Sequence, residues 1–283
     1  MRIGGTALVL SALVLAACAD EAPAGTGAGS DAPSADGRYE AVGLVLERPG
    51  EAPALCLGGV ADSYPPQCSG IPLAGWTWDA VDDETRASGT IWGDAHVVGT
   101  YDGATFTVEE AGPPRPASDP GVDFTPPCPE PAGGWVVPDP TRATEGDRAA
   151  TVAAAEAEPD HAATWISYLD EAPADPEDPG PYVLVLGFTG DLERHRADAE
   201  ATWGGPLCVF EQTHAHRELV SIQRDVEDAL AGAGAELLWS GIDVTRNRVD
   251  VGVVVATPEL ERTLAERFGD GAVHLEPALR PVG

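Results

Sequence analysis

The chain has 283 residues, with 47 acidic against 16 basic side chains and a formal net charge of −31. Every basic side chain is arginine, so Schiff-base chemistry on a lysine and a phosphate-loop lysine are both excluded. A balance this acidic also excludes nucleic acid as an expected partner, because affinity for a phosphate backbone comes from clustered Lys and Arg.

At the start of the chain, Met1-Arg2-Ile3 is short and basic, residues 7–17 are almost wholly apolar, and Leu15-Ala16-Ala17-Cys18 follows. The apolar run is about half of what a bilayer requires and suits the core of a signal peptide. The order Leu, small, small, Cys resembles the lipobox of bacterial lipoproteins, in which the thiol is acylated and the bond before it is cleaved. The resemblance implies a signal peptide at 1–17 and lipidation of Cys18 as the mature N-terminus. It also places the protein at the extracytoplasmic face of a cell membrane, anchored by lipid. At roughly 0.8 kcal/mol per buried methylene, two or more acyl chains make a stable anchor. The competing reading is an ordinary Ala-x-Ala secretory site with a stray cysteine.

Residues 18–37 are Ala, Gly, Pro, Ser, Thr and acids, with nothing large enough to seed a core, and read as a lipidated disordered tether. Gly25-Thr26-Gly27-Ala28-Gly29 has no strand before it and no helix after it, so it reads as linker and not as a phosphate loop. Beyond Cys18, the cysteines Cys56, Cys68, Cys128 and Cys208 are even in number, and two disulfides are the default in an oxidising compartment. Three pairings exist; Cys56 with Cys68 and Cys128 with Cys208 is preferred, because the first two bracket a Gly- and Pro-rich turn. Zinc is the competing reading, but no Cys-x-x-Cys pair is present.

Residues 38–111 read as all-β, with strands over 39–47, 55–60, 76–78 and 89–92 and a hairpin of 96–101 with 104–108 around Asp102-Gly103. Short strands with Gly-rich turns predict a small β-barrel or sandwich. Asp79 with Asp82-Asp83-Glu84 does not match an EF-hand spacing and reads as a solvated loop. Residues 112–180 form a Pro-rich connector with short helices: one over 144–158, with Thr144 and Asp147 as a capping pair, and another over 163–169.

Residues 181–283 follow as a ferredoxin-like α+β domain. A buried strand over 183–188 leads to a helix with Leu192, Ala199 and Trp203 on one face, and then to a strand over 207–211. A helix capped by Thr213 aligns Leu219, Ile222, Val226 and Leu230. Strands over 236–243 and 248–256 turn at 245–247, a helix begins at Pro258, and a last strand covers 273–276. From 207 onward the order is βαββαβ, the ferredoxin-like order.

The segments 188–195, 203–209, 218–226 and 247–255, with 56–60, 65–68 and 97–103, are similar to those of uncharacterised secreted and lipoprotein chains of actinobacteria. The lack of lysine and the wealth of Ala, Gly, Pro, Val and Asp fit such a high-GC source. Residues 236–275 also resemble the pro-regions of secreted bacterial serine proteases. Neither resemblance implies a catalytic residue.

No Gly-x-Ser-x-Gly and no His-Glu-x-x-His occurs. His214 and His216 are two apart at a helix start, where such positions do not face each other. His195 lies on an apolar helix face and His96 in a strand, both placed as packed histidines. Trp76, Trp78 and Trp92 suit stacking on sugars or prolines, and suit core packing equally. No catalytic residue, metal-ligand set or cofactor is implied. The leading expectation is a non-enzymatic, lipid-anchored module that binds a protein or cell-envelope ligand. The alternatives are a regulator or folding aid of a secreted protease, and a hydrolase with a site near His96 or His195.

Overall fold

The structure, a computed structural model, describes residues 37–115, 121–169, 178 and 180–282; the expected signal peptide, Cys18 and the tether up to residue 36 lie outside the described residues. The fold is mixed α+β with several sheets.

Alternation of apolar residues builds the first sheet. Strands β1 (Arg38–Glu47), β2 (Ala54–Cys56), β3 (Gly70–Ala74), β4 (Thr85–Ala87), β5 (Thr90–Tyr101) and β6 (Phe106–Gly112) all belong to it. β1 and β5 pair antiparallel over their whole shared length, from Arg38 opposite Thr100 to Glu47 opposite Ile91. Tyr39, Ala41 and Val45 from β1 and Ala95 and Val97 from β5 share the core with Leu55, Leu73 and Phe106. The expected hairpin turns at Asp102-Gly103, where the Asp102 carboxylate accepts the N–H groups of Ala104 and Thr105. These bonds hold the Asp102 carboxyl below its ordinary value.

Three expectations change here. The segments over 89–92 and 96–101 are one strand, β5. The strand over 55–60 shortens to β2 because the chain turns away towards the Cys56–Cys68 disulfide. Trp76 to Trp78 form no strand; Trp78 opens a short 3-10 turn, and the two indoles meet edge to face at 5.4 Å. The expected barrel is not closed either. The sheet curls until β3 meets β6, but only two residue pairs join them. A bulge beside Gly99 tightens the curl, and a Cβ there would overlap the Thr107 carbonyl oxygen.

Next, α1 (Glu145–Glu156) starts at a full capping box: Thr144 Oγ1 accepts the Asp147 N–H, and Asp147 accepts the Thr144 N–H. The helix expected over 163–169 is instead a strand, β7 (His161–Tyr168). Its period is two, because Ala163 and Trp165 bury on one face while Ile166 packs on the other. β-branched Thr164 and Ile166 with aromatic Trp165 and Tyr168 favour that choice.

β8 (Tyr182–Phe188) is buried at every position. Tyr182, Leu184, Leu186 and Phe188 pack beneath α1 and α2 (Leu192–Thr202), and Val183 and Val185 pack against Trp135 and Cys128 of the connector. β9 (Leu207–Glu211) runs parallel to β8, and the Cys128–Cys208 disulfide ties the connector to it. The Arg142 guanidinium donates to the carbonyls of Glu200 and Ala201, closing the last turn of α2.

α3 (His216–Gly232) buries Leu219, Ile222, Val226 and Leu230 as their spacing predicts. Its N-cap is Ala215, not Thr213, and no side chain caps it, because the preceding loop is held by Asn247 instead. β10 (Leu237–Asp243), β11 (Arg248–Val253), α4 (Pro258–Phe268) and β12 (Val273–Pro277) complete a second small sheet in the order β10-β11-β12. From β9 on, the order is βαββαβ, but β9 pairs with β8 and not with β10 to β12, so these elements do not share one ferredoxin-like sheet.

The observed unit is αββαβ, and it occurs twice: α1-β7-β8-α2-β9, then α3-β10-β11-α4-β12. In each half two antiparallel strands precede a helix of 11 residues and a parallel strand of 5. Val183 and Val185 stand where Val249 and Val251 stand in the second half, and Glu193 and Arg196 where Glu259 and Arg262 stand. Finally, β13 (Arg280–Pro281) returns to pair with β1, and the Val282 N–H bonds the Arg38 carbonyl.

The bridges span 12 and 80 residues of sequence. On the loop-entropy model, replacing Cys128 and Cys208 by Ser is expected to lower the unfolding free energy by about 4 to 5 kcal/mol, and replacing Cys56 and Cys68 by about 3 kcal/mol, as read by chemical denaturation.

Candidate functional site

Parallel strands end side by side, so the carboxyl ends of β8 and β9, at Phe188 and Glu211, bring two loops and two helix starts together. Most of the histidines gather there. His195 sits in the first turn of α2 on its inward side, 3 % exposed, with its ring flat on Phe188 at 3.6 Å. Its Nε2 is 2.8 Å from Asp160 Oδ2 and 3.0 Å from an Arg194 guanidinium nitrogen.

Asp160 and Glu158 lie in the turn between α1 and β7. That turn is fixed by main-chain bonds: the His161 N–H donates to the Glu158 carbonyl and the Thr189 N–H to the Asp160 carbonyl. Arg194 also reaches Glu158 at 3.0 Å, Asp191 at 2.9 Å and Asp198 at 3.4 Å, and its hydrogen bonds to Asp191 and Glu158 raise its pKa. Burial alone would push the Asp160 carboxyl upward, but the hydrogen bond with His195 and the charges of His195 and Arg194 leave it below its ordinary value. Oδ1 of Asp160 is buried and has no hydrogen-bond partner among the described residues.

His161 meets Phe188 edge to face, with ring centroids 6.0 Å apart; its Nε2 meets Thr164 Oγ1 at 2.9 Å. His216 approaches His161 at 6.3 Å. Burial pushes the His161 imidazole below its ordinary value; the Glu156 charge opposes this and that of His216 adds to it.

The histidines singled out in the sequence therefore separate. His195 belongs to the cluster, whereas His96 lies in the first sheet, 3.0 Å from Glu40. His214 bonds Glu218 and His216 turns to His161, so the His-Ala-His pair has no shared partner. The tryptophans also divide: Trp76 packs on Trp78, and Trp92 carries the exposed Tyr64 edge to face at 5.4 Å. Elsewhere an open groove of about 1210 Å³ runs between residues 122–126 and β7, with Phe124, Trp165 and Tyr168 among its walls.

Sequence reasoning missed Glu158, Asp160 and Arg194 as companions of His195. Asp160 and His195 are 35 residues apart, with no motif linking them. The only available signal was the turn after α1, where Glu158-Pro159-Asp160 places two acids at a helix end. Chemically, the cluster offers an imidazole oriented by a carboxylate, and three acceptor side chains able to converge on a cation. No protein-family model matches the chain, and no curated protein matches it in sequence.

Because the His161 pKa is lowered, the unfolded state takes up a proton first as the pH falls. The stability this provides is present above the ordinary value of 6.5 and is lost as pH falls through the folded value. His161→Gln is thus expected to shrink the drop in urea midpoint between pH 7 and pH 5. Asp160 has the same sign at lower pH: its contribution is present above 3.8 and lost below. Asp160→Asn should lower stability at neutral pH and flatten the acid limb of the same profile.

Proposed function

We propose that the protein is a lipid-anchored, extracytoplasmic binding module of the cell envelope, attached through Cys18 and non-enzymatic in its folded part. One observation supports the location: the four cysteines among the described residues, Cys56, Cys68, Cys128 and Cys208, are all paired in disulfides, and in the sequence this leaves Cys18 for acylation. Structural disulfides persist in oxidising compartments. Among the described residues, no helix is long and apolar enough to cross a membrane.

The binding reading is supported by how the histidines are engaged. His96 and His195 each face a carboxylate, at 3.0 Å from Glu40 and 2.8 Å from Asp160, so both rings are engaged in the fold's own polar contacts. The leading ligand classes remain a protein or an envelope component, the membrane being reached through the anchor. The Asp160–His195 pair favours a hydrolase as the second reading, since a carboxylate orienting an imidazole is the support a nucleophile would need.

Intact-mass analysis and detergent phase partitioning of the native product test the anchor. The expected result is an acylated N-terminus at Cys18, partition into detergent and no titratable thiol, whereas Cys18→Ala moves the protein to the aqueous phase. An unmodified N-terminus or four free thiols overturns the proposal. Envelope pull-down addresses the ligand, and hydrolytic activity abolished by His195→Ala would move the assignment to the second reading.

A further inference from the structure

We propose that Glu158, Asp160 and His195 form a zinc-type divalent cation site in which the Arg194 guanidinium competes with the ion for the same acceptors. One ligand atom from each of the three side chains lies within 4.8 Å of the others. Ligands held about 2.0 to 2.2 Å from one ion sit about 3 to 4 Å apart, so Asp160 and His195 need only part by a few tenths of an ångström while Glu158 moves in. Two members are already placed. Asp160 Oδ2 and His195 Nε2 are 2.8 Å apart, the imidazole is fixed on Phe188, and the Asp160 main chain is fixed by Thr189. Glu158, 35 % exposed in its side chain, has freedom to close the third side.

The hydrogen-bond count also points to a cation. An imidazole nitrogen carries either a proton or a lone pair, never both. His195 Nε2 nevertheless faces an Arg194 donor at 3.0 Å and an Asp160 acceptor at 2.8 Å. With a proton on Nε2, the guanidinium N–H faces another N–H. With a lone pair, the Asp160 carboxylate faces it without a donor between them. A metal ion takes the ring nitrogen and the carboxylate together and removes the conflict. Independently, the second Asp160 oxygen is buried with no partner among the described residues.

Arg194 holds this place now but is not committed to it. Its side chain is 42 % exposed, and Asp191 and Asp198 remain as carboxylate partners when it leaves Glu158. Two carboxylates with a neutral imidazole balance a divalent charge. One nitrogen and two oxygen donors suit zinc, with water completing the shell, whereas calcium takes six to eight oxygens.

Equilibrium dialysis of the full chain in detergent, with zinc ions as the probe, tests this. The expected result is one zinc per chain, retained in excess calcium, weakened about tenfold or more by Asp160→Asn or His195→Gln. His216→Gln leaves it unchanged. Arg194→Gln, at an exposed position that carries little packing, tightens zinc severalfold, an effect that misfolding cannot imitate. Absence of stoichiometric zinc, binding unchanged in Asp160→Asn, or no tightening in Arg194→Gln overturns the proposal.

Discussion

The structure depends on covering one strand from both sides. β8 has no solvent-facing position, so its two rows of apolar side chains require two separate coats. A sheet strand hydrophobic on both faces is stable only when each face is covered. Helices α1 and α2 cover one face, joined by the Thr151 and Thr202 hydroxyls at 2.7 Å and by Arg142 over the end of α2. The other face is packed by Trp135, Trp165 and the Cys128–Cys208 disulfide. A proline-rich segment gains little from its own hydrogen bonding, so a covalent link is an effective way to hold it against a sheet. The position of that disulfide is therefore a packing requirement as much as a chain-entropy device.

Two polar side chains tie the two αββαβ halves together: the Gln212 amide donates to the Val244 carbonyl, and Asn247 bonds the loop before α3. Asn247, 8 % exposed and at φ 55°, accepts the His214 N–H and donates to the His214 carbonyl. Asparagine tolerates that left-handed backbone better than most residues, and its amide offers a donor and an acceptor at once. The β10–β11 turn and the start of α3 are thus locked together, and His216 is delivered beside His161 as a consequence. The histidine cluster follows from the geometry of that joint, not from a local sequence motif.

What the sequence made legible was local. The boundaries of β8, β9, α4 and β12 follow from Gly and Pro punctuation and from apolar spacing, and so does the buried face of α3 at Leu219, Ile222, Val226 and Leu230. β7 was illegible because a short apolar run fits either period, and only pairing with β8 selects the strand. The repeat was hidden because its halves share few residues: the position that holds Trp203 in one holds Gly269 in the other. Sheet membership was also illegible, since the βαββαβ order of β9 to β12 does not say that β9 prefers an earlier neighbour. At the site, His195 could be placed on an inward face, but Asp160 could not be assigned to it, because tertiary packing alone spans the intervening chain.

The return of β13 to β1 brings the last described residues beside the first described strand. The loop closed by this pairing spans almost the whole fold, and contacts so distant in sequence are formed late and slowly. A chain emerging from a pore N-terminus first would hold Tyr39 and its neighbours incompletely covered until Leu279 and Arg280 had also emerged. The edge of the first sheet stays open through nearly all of that passage, which makes the docking of Arg280 and Pro281 on β1 the step that seals this edge.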